Sequence, residues 1–193
     1  LASLYYHLTE LDMARQTYAT ALRVAQQHSV DRSLSVQLLY RIADIDLQHL
    51  DMRQAVRVFE QIRTLEPEDE KARVQLVNMN FRLGQEANAL SEVDGFVALL
   101  EHTGKRKQSI DFVKAVINEH PNRPELIKRL ADLYARNGQT AEAIAELDGL
   151  ADLLLTAGNV QGAAAMLKTI INLRPPNVAD YEAALRKLQS GKL

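Results

Sequence analysis

A chain of 193 residues with no Cys and no Trp, 47% apolar but only 5% aromatic, excludes disulfides, thiolate metal sites and cysteine nucleophiles. Its formal net charge of −2 and pI near 6.2 offer phosphate backbones and anionic membranes no general attraction, so neither nucleic acid nor membrane is expected as a partner. Five prolines and eight glycines are too few to punctuate many strands, and no stretch alternates apolar with polar residues, so the expected class is all-α.

Apolar spacing and breaker residues predict eleven helices: 1–8, 11–28, 33–49, 52–65, 69–83, 86–103, 106–119, 123–137, 140–157, 160–173 and 177–190. The chain opens without Met on the apolar stripe Leu1, Leu4, Tyr5 and Leu8, which reads as the interior of a helix and as the C-terminal piece of a longer protein. Helix 11–28 carries Ala14 and Tyr18 four residues apart. Helix 33–49 carries Leu39, Ile42 and Ala43, with Asp44 and Asp46 at a spacing of two; carboxylates so spaced do not share a helical face, so both are expected in solvent or at a turn. Helix 52–65 has Ala55 and Phe59 before Pro67, and helix 69–83 has Arg73, Leu76, Val77 and Asn80 in the phase where a core stripe belongs.

In the second half, 86–103 pairs Ala89 with Val93 and carries Asp94-Gly95 in mid-helix. Helix 106–119 pairs Ser109 with Val113 before Pro121 and follows the densest basic run, Lys105-Arg106-Lys107, which suits plain solvent exposure, an acidic partner or an anion. Helix 123–137 shows Ile127, Leu130, Ala131 and Tyr134; 140–157 pairs Ala143 with Leu147 and repeats Asp148-Gly149; 160–173 pairs Ala163 with Leu167 before Pro175. Helix 177–190 lines up Tyr181, Ala184, Leu185 and Leu188 on one stripe, as a capping helix does.

Pro67, Pro121 and Pro175 follow one another at intervals of 54 residues. Residues 84–121 laid over 138–175 match Gln85 to Gln139, Ala87 to Ala141, Ala89 to Ala143, Asp94-Gly95 to Asp148-Gly149, Leu99-Leu100 to Leu153-Leu154 and Ile117-Asn118 to Ile171-Asn172, which marks internal duplication. Within that unit the small residues Ala14, Ala55, Ala89, Ser109, Ala143 and Ala163 are separated by 41, 34, 20, 34 and 20 residues. A step of 20 leaves room for one helix, so 86–103 and 140–157 each serve as second helix of one pair and first helix of the next.

A small residue, a bulky one four later and a proline eight after that resemble the second helix of the tetratricopeptide repeat (TPR), and Leu130, Ala131 and Tyr134 before Gly138 resemble its first helix. The resemblance spans nearly the whole chain. It implies a right-handed superhelical α-solenoid of antiparallel helix pairs, forming one domain over 1–193. It also implies a protein-binding scaffold without catalysis or cofactor, whose first helices line a concave groove for a peptide or partner helix. The residues it points to are Gln37, Tyr40, Asp44 and Gln48 in the third helix, Lys71, Asn78, Phe81 and Arg82 in the fifth, and Lys128, Asp132 and Arg136 in the eighth. Tyr40 and Phe81 are the preferred anchors, unless each is buried against a neighbouring helix. Some members grip a C-terminal carboxylate of heat-shock chaperones with Lys, Asn and Arg; here Val74 and Tyr40 stand where basic residues are wanted, and no such clamp is expected. Self-association is the alternative function, and RNA binding by a related helical repeat is disfavoured by the charge.

His7, His28, His49, His102 and His120 all fall at predicted helix ends, where imidazole meets free carbonyls, and none forms a metal-ligand pair. Glycines at 95 and 149 should each cost about 1 kcal/mol in mid-helix. Close approach of a neighbouring helix, or of a bound peptide, is the expected compensation. The lack of cysteine is compatible with the cytoplasm.

Overall fold

The computed structural model describes residues 1–7, 10–27 and 31–190. Among them the chain forms eleven helices: α1 (Ala2–His7), α2 (Leu11–Gln27), α3 (Arg32–Gln48), α4 (Met52–Leu65), α5 (Glu70–Arg82), α6 (Glu86–His102), α7 (Arg106–Glu119), α8 (Pro124–Arg136), α9 (Thr140–Thr156), α10 (Val160–Asn172) and α11 (Val178–Gln189). Their bounds lie within a residue of the sequence expectation, with position 8, His28 and the His28–Val30 connection outside the described residues.

Helix starts are set by side-chain caps. Asp31, Asp51, Asp69 and Asn159 accept from the amides of Ser33, Gln54, Ala72 and Gly162, each satisfying an orphan donor of the first turn. Helix ends repeat one turn: the amides of Gln85, Lys105, Gln139 and Asn159 reach back to the carbonyls of Asn80, Leu100, Tyr134 and Leu154, while the preceding glycine takes a left-handed φ of 70 to 77°. Asp51 makes the same bond to Asp46, but there the left-handed position holds Leu50 at φ 59°.

The chain divides into two compact units, Leu1–Leu99 and Leu100–Leu193, with the division inside α6. In the first, α1 through α5 pack each on the next around Leu39, Ile45, Phe59, Ile62 and Leu76; in the second, α7 through α11 do so, with Leu147, Leu150, Met166 and Ile170 in its core. The six small residues of the repeat are all fully buried, and their bulky partners Tyr18, Phe59, Val93, Val113, Leu147 and Leu167 lie in the core. Small side chains at the crossings let helices approach, and each large neighbour contributes about 1.5–3 kcal/mol on burial.

Three expectations are corrected. Asp46 is buried rather than solvated: the guanidinium of Arg15 in α2 covers both its carboxylate oxygens, Nε on Oδ1 and Nη2 on Oδ2, the latter at 3.1 Å. Gly95 and Gly149 admit no close helix, since a β-carbon built on either would meet nothing within 4 Å and both are exposed. Asn78 does not face solvent, being 6% exposed, because α5 is covered around most of its circumference, and of the two alternatives for Phe81 the buried one holds, at 7% exposed.

That burial of α5 extends to charge. Arg73 of α5 donates to Glu92 of α6 at 2.5 Å and twice to the Pro67 carbonyl, at 3.0 and 2.9 Å, with its guanidinium 5.1 Å from the Phe96 ring centroid. Arg63 of α4 binds the second oxygen of Glu92. The charged residues that interrupt the core stripes of α3 and α5, Asp46 and Arg73, are therefore paired in the interior, while Asn80 donates to the Leu76 carbonyl at 2.8 Å.

Candidate functional site: a groove on the third and fifth helices

Residues three and four apart on α3 share a face, so Gln37, Tyr40, Arg41 and Asp44 present a common strip. Lys71, in the first turn of α5, reaches the same strip, and with Ser3 and Tyr18 these side chains line a groove of about 490 Å³. Four of the eleven residues expected to contact a partner, namely Gln37, Tyr40, Asp44 and Lys71, are thus brought together.

Tyr40 forms the floor. Its ring packs edge-on against buried Phe59 at 5.9 Å between centroids, Lys71 Nζ lies 4.7 Å from the ring centroid, and the phenol donates to Asp69 at 2.7 Å. Burial first, and then this hydrogen bond to a carboxylate, push the Tyr40 pKa well above the ordinary phenol value. Around this fixed floor stand exposed Leu34 and half-buried Leu38, the cations Arg41 and Lys71, the half-buried carboxylate of Asp44 and the Gln37 amide. Apolar wall, both charge signs and an amide together suit a peptide, whose backbone and side chains need all three.

The other expected residues lie elsewhere. Gln48, near the end of α3, donates to the Tyr6 hydroxyl at 2.6 Å. Arg82 is exposed at the end of α5. In the second unit, Lys128, Asp132 and Arg136 are exposed on α8, with Arg136 paired to Glu101 at 2.9 Å.

Sequence reasoning did not find Arg41, Leu34 or Ser3 as groove residues, although Arg41 stands next to Tyr40 and four residues from Gln37 on the same helix. In the second unit, Arg106 and Lys107 of the basic run join Lys114, Tyr134 and Asn137 around a cavity of about 570 Å³. Lys114 Nζ lies 5.4 Å from the Tyr134 ring centroid, and its hydrogen bond to that tyrosine holds the ammonium more firmly protonated. His7, His49, His102 and His120 sit at or just past the ends of α1, α3, α6 and α7, while His28 falls outside the described residues. No three His, Asp or Glu side chains among the described residues converge as a metal site would require, and no described helix is long and apolar enough to cross a membrane.

Solved structures similar to this chain are helical-repeat proteins. A tetratricopeptide repeat protein from Parabacteroides merdae ATCC 43184 is 16% identical, over 98% of this chain and 82% of that one, with a TM-score of 0.40. YrrB, a TPR protein with an unusual peptide-binding site, is 16% identical over 100% and 89%, also at 0.40, and the TPR2AB domain of yeast Sti1 in its pHSP90 complex is 15% identical over 99% and 81%, at 0.40. The fold is TPR-like. Small residues buried at successive helix crossings carry that statement on their own, and similarity at these scores bears neither on the TPR-like groove nor on its partner. No family model and no curated protein matches the chain.

Proposed function

We propose that this chain is a binding scaffold that holds a peptide or partner helix in the α3/α5 groove and makes or breaks no bonds. The observation that carries the reading is the convergence of Gln37, Tyr40, Asp44 and Lys71, 34 residues apart at their extremes, on one groove with an immobilised aromatic floor. Rigid aromatic area beside charged groups is the usual chemistry of an interface anchor. Peptides selected from a phage-displayed random library on the intact chain test it: Lys71→Glu, Gln37→Ala and Asp44→Arg should each weaken the selected peptides while leaving the thermal unfolding midpoint in place. Selected peptides indifferent to all three substitutions would show that the groove is not where they bind.

A second reading, self-association, is supported by the distribution of apolar surface. The large apolar residues that stand exposed among the described ones, Leu1, Leu4, Met13, Val24, Leu34 and Leu50, all lie between the start of the chain and the turn after α3. Light scattering across a range of concentrations tests this reading: mass should rise with concentration and fall back in Met13→Lys/Val24→Lys, whereas a constant monomer mass would dismiss it.

A further inference from the structure

An apolar groove of the second unit lies between α9 and α11, over Leu167 of α10, with a volume of about 690 Å³. Its floor is Ala151, Leu155, Ala184 and Leu188, and its rim is acidic: Asp148 and Asp152 on α9, and Asp180 on α11, against the single cation Lys187. All three carboxylates are exposed, and none takes part in an ion pair among the described residues. Asp148 and Asp152 are four residues apart on one helix face, an arrangement of like charges that costs the helix stability.

The internal repeat shows what was exchanged to make this groove. Adding 54 to Leu126, Leu130 and Leu133, three buried leucines of α8, gives Asp180, Ala184 and Lys187 of α11. Adding 54 to Ala98 gives Asp152. Where the first copy carries Leu126, Leu130, Leu133 and Ala98, the second carries Asp180, Ala184, Lys187 and Asp152, while Asp148 matches Asp94 and is common to both copies.

We propose that the α9/α11 groove is a docking site for a basic amphipathic segment of a partner protein, its apolar stripe on Ala151, Leu155, Ala184 and Leu188 and its Lys or Arg side chains between the three aspartates. Charge complementarity selects this occupant, since an acidic or purely apolar segment leaves three carboxylates with Lys187 as the one lining cation beside an apolar wall. This site is separate from the α3/α5 groove and stands or falls without it.

The probe is a 14-residue helical peptide of Leu and Lys with leucines at i, i+3, i+4 and i+7, compared with the same peptide carrying Glu for Lys, on the intact chain. The Lys peptide should bind and the Glu peptide should not. Asp148→Asn/Asp152→Asn should weaken binding at least about ten-fold, and Ala184→Phe, which fills the floor without changing charge, by a similar factor. Asp111→Asn, outside the groove lining, should leave affinity unchanged. Binding equal in the wild type and both groove variants overturns the proposal. So does a concentration-dependent increase in mass that Asp148→Asn/Asp152→Asn abolishes, because the groove then belongs to a second copy of this chain.

Discussion

The phenol of Tyr40 donates to Oδ1 of Asp69 at 2.7 Å, and that same oxygen accepts the Ala72 amide at 2.9 Å. One carboxylate thus caps α5 and pins the aromatic floor of the groove. Asp69→Ala should cost about 1–2 kcal/mol in chemical denaturation, through the lost cap and the stranded phenol, and Asp69→Asn distinctly less.

Tyr40 also fixes an alkaline limit. Its pKa is raised in the folded chain, so the unfolded chain loses that proton first as pH climbs past about 10. The contribution is fully present below that value and is lost as pH rises above it. Tyr40→Phe should therefore flatten the alkaline decline of stability in denaturation curves collected between neutral and strongly basic pH.

Asp148 titrates in the opposite sense to a paired carboxylate. Partial desolvation first, and the charge of Asp152 second, raise the pKa of this mostly exposed carboxyl, so the folded state holds the proton more tightly than the unfolded one. Its contribution to stability then declines as pH rises from the ordinary aspartate value through the raised one. Asp148→Asn should raise the melting temperature at neutral pH, with the difference from wild type vanishing in strong acid.

Helix positions were legible because the small residues, bulky partners, prolines and turn glycines each report a backbone demand that does not depend on distant residues. What could not be read were the long-range charge pairs. Nothing near Asp46 names Arg15, and nothing near Arg73 names Glu92 or Arg63, so these polar residues looked only like blemishes in a core stripe. The groove was half legible: helical spacing gathers Gln37, Tyr40 and Asp44, but burial of Asn78 and Phe81 depends on α5 being covered by its neighbours, which periodicity within one helix does not state.

Glu92 joins two arginines, and its side chain and that of Arg73 are 7% and 10% exposed. Glu92→Leu should cost about 3–5 kcal/mol, since it leaves a buried guanidinium without its counter-charge, whereas Arg73→Met/Glu92→Leu should recover most of that loss. A double-mutant cycle in urea measures the difference.

Leu50 occupies the left-handed turn position that glycine holds at 84, 104, 138 and 158, and it is 78% exposed. Leu50→Gly should stabilise by about 1 kcal/mol by relieving that backbone conformation. Gly95→Ala and Gly149→Ala should each add a similar amount, about 1 kcal/mol, because an added methyl group meets only open space. Thermal unfolding of the three single variants checks these signs.

The central claim is that α3 and α5 together present a peptide groove. Amide chemical-shift mapping of the intact chain, titrated with a library-selected peptide, tests it most directly. The expected result is a set of perturbations centred on Gln37, Tyr40, Arg41, Asp44 and Lys71; saturable binding that leaves those amides unmoved would contradict the claim.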